Sequence, residues 1–274
     1  MKVSRSNLID RVKAERPKLP RRYRMQDDVW MLPLIKDITT ERPTYGYRRV
    51  TALLRLKLEK QGKMAVNHKR VYRMMKQNHL LLRRHTGRPN RTHEGKIVTL
   101  RSNTRWCSDS FVIQCWNGDR VHIVFALDTC DREAIRYLAS TIGVDGRMVR
   151  DLMIESVESR FGKIGKLSNP IQWLSDNGPY YTSHETVNFG RDLGFEICTT
   201  PSYSPESNGM AEAFVKSFKR DYVWFGKLSD AKTVMTLLPG WFEDYNENAP
   251  HKGLKMLSPR QYIRTMNEKV VVRF

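Results

Sequence analysis

The sequence predicts an α/β chain in which a mixed five-stranded sheet with flanking helices follows a small, strongly basic all-α unit. Three observations carry that prediction. The 274 residues have a formal net charge of +19, and nearly all of it lies in the first 100, where 26 Lys and Arg face eight Asp and Glu. Residues 101–274 are close to balanced, with 22 against 21. Near Thr104 the hydrophobic pattern also changes from helical spacing to short β-branched and aromatic runs. Beyond it the order reads strand-strand-strand-helix-strand-helix-strand-helix, and parallel strands added by helical crossovers need cover on both faces.

Composition bounds the function. With 40% hydrophobic residues the chain can bury a sizeable core, and its length suits one or two domains. A polycationic segment calls for a polyanionic partner, and nucleic acid is the first candidate because each neutralised phosphate releases counterions. No apolar run approaches the ~18 residues of a membrane span. The N-terminal MKVSRSNLIDRVK carries charge where a signal peptide needs an apolar stretch. We therefore expect a cytoplasmic, nucleoid-associated protein with no membrane partner. The four cysteines lack C-x-x-C spacing and the seven histidines form no H-x-x-x-H cluster, so reduced buried cysteines are expected and zinc is not.

In chain order, residues 1–26 read as a basic arm or linker, RPKLPRRYR being its densest part. A short amphipathic helix spans Gln26 to Ile38. TYGYRRVTALLRLKLEKQG gives a second, with Val50, Leu53, Leu54 and Leu56 or Leu58 inward and Gly62 as its stop. VNHKRVYRMMKQNHLLLRR gives a third from about Asn67, with Val71, Met74, Met75, Leu80 and Leu81 as apolar positions. The last two form the pattern of a helix-turn-helix over residues 27–82 whose second helix offers Lys69, Arg70, Arg73 and Lys76 to DNA. Arg48 and Arg49 precede them as further candidates; the alternative is a basic hairpin that touches only phosphates. Residues 83–103 read as a basic linker.

The sheet begins with TRWCSDSFVIQCW and RVHIVFALDTC, which flank an Asn117-Gly118-Asp119 hairpin signal. AIRYLASTIG is the third strand. DGRMVRDLMIESVESRFG is a helix with Met148, Leu152, Ile154 or Glu155, and Val157 marking its faces. IQWLS, TSHETVNFGRDLG and FEICT continue as strand, helix and strand. PSYSPESNGMAEAFVKSFKR leads into a basic amphipathic helix whose expected buried stripe is Ala211, Phe214, Val215, Phe218, Tyr222 and Phe225. Residues 229–274 form a helical extension.

Three carboxylates stand out. Asp109 lies within an apolar strand, where Asp is disfavoured. Asp176 follows the fourth strand, at the strand ends where open sheets present functional groups. Glu212 opens the last helix of the core, with Lys216 and Lys219 stepping away from it. Each has a bland reading: a hydrogen-bonded strand residue, a turn residue in SDNGP, and a first-turn acid favoured by the helix dipole. Asp128 in FALDTC competes with Asp109 but is expected to close a turn. Together we expect Asp109, Asp176 and Glu212 to converge and hold divalent metal for phosphodiester chemistry, with Lys216, Lys219 and Arg220 contacting DNA.

This constellation, with 35 residues between the last two acids, resembles the DDE site of retroviral-integrase-type transposases. SDNGPYYTS and PSYSPESNGMAEAFVKSFK are similar to that family's second and third motifs. YGYRRVTALLR with NHKRVYRMMKQ resembles its helix-turn-helix block, and YNENAPHKGLKMLSPRQYI its C-terminal signature. The chain is thereby identified with the OrfB transposases of bacterial insertion sequences in the family numbered three, insertion sequence two being the suggested relative. Two departures are visible: Ala249 stands before Pro250-His251 where Arg is usual, and Ser108-Asp109-Ser110-Phe111 replaces Thr-Asp-hydrophobic-Thr.

The resemblance implies an RNase H-like fold for residues 104–228 and metal-dependent strand cleavage and transfer. It further implies two Mg2+ or Mn2+ ions, Asp109 bridging both while Asp176 and Glu212 each complete one shell. Its implied partners are element ends, target DNA, further copies in a synaptic complex, and an upstream OrfA segment joined by frameshift. A hydrolytic nuclease of the same fold and a non-catalytic DNA-binding regulator are the alternatives. The Pro201–Asn208 lead-in is expected to order when DNA arrives.

Overall fold

A computed structural model describes residues 28–83, 99–162, 165–200 and 208–271. The basic arm, most of the linker and nearly all of the Pro201–Asn208 lead-in lie outside these residues. The basic unit comprises α1 (Met31–Glu41), α2 (Tyr47–Lys60) and α3 (His68–Gln77). Their apolar stripes share one core that includes Ile35, Ile38, Leu54, Leu58, Val71 and Met75. Leu58 takes the buried place and Leu56 stays half-buried. Gly62 ends the α2 turn at φ 66°, which suits a residue without Cβ. Asn67 caps α3 by accepting from the Lys69 backbone N–H at 2.9 Å.

The sheet order is β3-β2-β1-β4-β5. β1 (Arg105–Gln114), β2 (Arg120–Asp128) and β3 (Ala134–Ser140) pair antiparallel, while β4 (Ile171–Ser175) joins β1 and β5 (Phe195–Thr199) in parallel. The hairpin turn falls at the Asn-Gly-Asp signal, with Gly118 at φ 93°. The connections are helical: α4 (Gly146–Phe161), a single turn α5 (Pro179–Thr182) and α6 (His184–Asp192). After β5 come α7 (Gly209–Asp221), α8 (Ala231–Asn248) and α9 (Pro259–Val271).

Alternation along the strands sorts two cores. Cys107, Phe111 and Ile113 of β1 face Phe214, Phe218 and Phe242 of α7 and α8. Trp106 with Val124 and Ala126 faces Val149 and Leu152 of α4 and Tyr181 of α5. The inner stripe of α4 runs Val149, Leu152, Met153, Ser156 and Val157; Met148 and Ile154 are only half-buried, so the stripe is rotated from the expected one.

Phe225 corrects the stripe expected for α7. It is 60% exposed, because the α-helix ends at Asp221 and Val223–Phe225 form a 3-10 turn, which shifts the phase and puts Val223 inside instead. The C-terminal signature builds part of the core. The buried Asn246 amide donates to the Ala134 carbonyl at 3.0 Å and accepts from its N–H at 2.9 Å, extending the β3 edge. Arg260 of α9 ties Glu133 to Glu243 and Glu247.

Candidate active site

β1 and β4 are in register for only three residue pairs, ending at Cys107 opposite Leu174. Continuing that register by two residues sets Asp109 opposite Asp176, just where the strands stop bonding. The bare edge of β1 is braced from α5. Tyr181 bonds Ser108 hydroxyl-to-hydroxyl at 2.8 Å, and Tyr180 bonds Ser110 in the same way at 2.8 Å. The Tyr181 phenol is fully buried, and burial raises it well above the usual phenol range, so it stays neutral.

Asp176 does make the turn that its SDNGP context predicts, accepting from the Gly178 N–H at 3.0 Å. A Cβ on Gly178 would sit 3.0 Å from the Asp176 oxygen and 3.3 Å from the Tyr180 ring, so glycine keeps this corner tight. Pro179 then starts α5 at a position where its missing N–H costs nothing.

Glu212 enters from the other side, in the first turn of α7, with its side chain 45% exposed and Oε2 3.4 Å from the Lys216 ammonium. One turn earlier Asn208, buried, donates to the Ser108 carbonyl at 3.4 Å and so ties α7 to β1 beside Asp109; its amide oxygen has no partner among the described residues.

The electrostatics single out Asp109. Burial pushes its carboxyl up to about 6, the Ser110 N–H opposes that, and the negative charges of Asp176 and Glu212 add to the rise. Among the described residues no Lys or Arg pairs with Asp109 or Asp176, and no three His, Cys, Asp or Glu side chains already stand at metal-holding distance. Asp109 therefore feels the charge of Asp176 and Glu212, and among the described residues the three acids do not form a closed cage.

Asp128 is elsewhere. Completely buried at the end of β2, it accepts from the N–H groups of Asn103, Cys130 and Asp131 and pairs with Arg160, as a turn-closing residue should. Burial and neighbouring Asp131 push its carboxyl up to about 6. All four cysteines are free thiols, two of them buried.

The basic candidates divide. Lys69 and Lys76 lie exposed on α3, and Arg48 lies exposed on α2, where it bonds the Tyr47 hydroxyl at 3.1 Å. Arg70 pairs with buried Asp28 and Arg73 is half-buried. Lys216 is open, and the Lys219 ammonium lies 5.5 Å from the centre of the Phe111 ring. Arg49 and Arg220 both pair with Asp221. Sequence reasoning passed over Ser108, Ser110, Tyr180, Tyr181 and Asn208, although all five lie within or beside the three acidic motifs.

Known protein families match nearly the whole chain: an HTH-like domain over residues 26–88 and an integrase core domain over 99–205 and 193–259. Over 246 residues the chain is 48% identical to the transposase InsD for insertion element IS2A/D/F/H/I/K of Escherichia coli, covering 89% of this chain and 81% of that protein. It belongs to the insertion-element transposases. InsD for insertion element IS2-9 of Escherichia coli K12 matches at the same identity, with 80% of its length covered. As a DDE transposase with an integrase core, the protein is a polynucleotidyl transferase that acts on DNA.

Among solved structures, the catalytic core of BIV integrase aligns with TM-score 0.42 and 20% identity over 61% of this chain and 99% of that one. The Mos1 mariner transposase catalytic domain aligns with TM-score 0.43 and 17% identity over 52% and 70%. Among the described residues no helix is long and apolar enough to cross a membrane.

Proposed function

We propose that Asp109, Asp176 and Glu212 would hold two divalent cations, Mg2+ or Mn2+, and that this site cuts element ends and joins them to target DNA. The observation that carries the reading is Asp109: a carboxyl raised to about 6 by burial and two nearby acids, two residues beyond the last β1–β4 register pair, with Asp176 directly after the end of β4. The donors are carboxylate oxygens, which suit hard cations. Closing the site needs Glu212 to leave Lys216, an exposed i,i+4 pair worth only about 0.3–0.5 kcal/mol.

Bound there, the cations would supply Lewis-acid activation of the attacking oxygen and stabilisation of the leaving oxygen at phosphorus. The chain does the rest. Tyr180, Tyr181 and Asn208 hold β1 so that Asp109 cannot retreat from Asp176. Lys216 and Lys219 continue along α7 as phosphate contacts once Glu212 has turned inward. Lys69, Lys76 and Arg48 bring DNA to the basic unit, which we take as a separate helix-turn-helix domain ahead of the catalytic core.

The family resemblance extends the proposal to a multimer holding two element ends, to fusion with an upstream OrfA segment, and to action in the bacterial cytoplasm. The test incubates the protein, alone and fused to OrfA, with end-bearing DNA and Mg2+ beside Asp109→Asn and Glu212→Gln. Cut and joined products from the unaltered chain alone support the reading. Cutting without joining points to a hydrolytic nuclease, and equal activity of all three proteins overturns the metal site.

A further inference from the structure

α7 carries Glu212 in its first turn and, about 14 Å further along its axis, Asp221 at its last residue. Asp221 is an acid held at an interface. Its side chain is 3% exposed, and its oxygens accept from two parts of the molecule that the linker separates in sequence. From the basic unit come the Thr44 hydroxyl at 2.6 Å and the Arg49 guanidinium at 2.7 Å; from α7 comes Arg220 at 2.7 and 3.0 Å. Burial by itself would raise this carboxyl, but the bond from Arg220, the charge of Arg49 and the bond from Thr44 outweigh it and hold it below the usual carboxylate range.

A second acid repeats the arrangement one helix away. Asp244 of α8 accepts from Arg42 at 2.6 Å and from the Tyr222 hydroxyl at 2.8 Å. Tyr45, almost fully buried, lies between the two pairs with the Arg49 guanidinium 3.5 Å from its ring centre and that of Arg42 5.9 Å away. Thr44 and Tyr45 lie in the α1–α2 junction and Arg49 in the first turn of α2, which packs on α3 through the shared core. Two cations, two acids and a tyrosine thus connect the basic unit to α7, which carries Glu212, and to the neighbouring α8.

We infer that Asp221 and Asp244 are positioning residues that lock the basic unit to α7 and thereby set which phosphodiester of a bound element end reaches the carboxylates. Small polar interfaces between domains normally permit relative motion. Here both acids are paired, the Asp221 side chain buried and the Asp244 side chain half-buried, and undocking would cost Asp221 two of its hydrogen-bond donors, Thr44 and Arg49. The geometry of the lock matters for chemistry because a misplacement of about 1 Å, even from a distant change, can cost on the order of 100-fold in rate. Arg49 is accordingly assigned to this joint and not to DNA phosphate.

This inference rests on the catalytic reading above, so its test has one arm that needs no catalysis. Spin labels at Glu59→Cys on α2 and Ala213→Cys on α7, in a background with Cys130 and Cys198 replaced by Ser, report the inter-unit distance without DNA. A narrow distance distribution is expected for the parent, and one at least twofold broader for Asp221→Asn/Asp244→Asn.

In the second arm, cleavage of end-bearing DNA is mapped to the nucleotide for the unlabelled double variant. We expect end binding within threefold of the parent, at least tenfold less joining, and cuts spread over neighbouring phosphodiesters. A merely structural weakening would slow cutting at one unchanged position. Equal distance distributions, cuts that stay at the parental position, or faster cutting by the variant, which would make the joint a brake, each overturn the inference. Failure of the parent to cut at all counts against the catalytic reading, and the joint is then judged on the distances alone.

Discussion

Replacing Asp109 with Asn should raise the stability of the metal-free protein at neutral pH while abolishing strand cleavage. The folded chain holds this carboxyl at about 6, above its ordinary unfolded value near 4. A carboxyl raised in this way contributes stability that is whole below about pH 4 and is lost as pH climbs through about 6. That difference has a ceiling of ~3 kcal/mol, and partial exposure with solvent screening reduces it to about 1–2 kcal/mol.

For a chain of this size the gain corresponds to roughly 2–8 °C in melting temperature at pH 7.5. Thermal melts of both proteins at pH 4.5 and 7.5, in chelator, give the result. The two should melt nearly together at pH 4.5 and separate in favour of Asp109→Asn at pH 7.5. Mg2+ should then close the gap by stabilising the unaltered chain alone. A variant that melts no higher at pH 7.5, or a gap that does not change with pH, would refute the idea that Asp109 sits in an uncompensated acidic cleft.

Other substitutions probe the scaffold and the DNA surface. Arg160→Met leaves Asp128 and Asp131, both fully buried, without their shared cation, and should cost about 3–5 kcal/mol in urea unfolding. Phe218→Ala, at 0% exposure, should cost about 3–5 kcal/mol, whereas Phe225→Ala, beyond the end of the helix, should stay within ~0.5 kcal/mol. Lys69→Ala and Lys76→Ala should each weaken DNA binding for all sequences alike and reduce the slope of log affinity against log salt by about 1, read by titration at several salt concentrations.

How much of this was readable from sequence depends on the range of the interaction concerned. β1 and its Asp were readable because β-branched and aromatic neighbours define the strand and an Asp among them needs a reason. Asp128 was readable as a turn residue because two of its donors, the Cys130 and Asp131 N–H groups, lie within three residues of it. The phase of α7 near Phe225 was not, since the change to a 3-10 turn depends on which residue, Val223 or Phe225, fits the pocket beside α8. Arg49 illustrates the larger limit. Its sequence context is a basic helix start, which fits a phosphate contact well, and only the fold brings Asp221, 172 residues away, to its guanidinium. The bracing of Ser108 and Ser110, on either side of Asp109, by Tyr181 and Tyr180 is of the same long-range kind, although the tyrosines lie within the SDNGPYYTS motif.

The central claim, that three acids distant in sequence form one metal site, is tested most directly by replacing Mg2+ with Fe2+ and generating hydroxyl radicals at the bound ion. The account predicts backbone cuts clustered around residues 109, 176 and 212, suppressed by excess Mg2+ and lost in Asp176→Asn. Cuts at other positions, or cuts at these three that Mg2+ does not suppress, would contradict it.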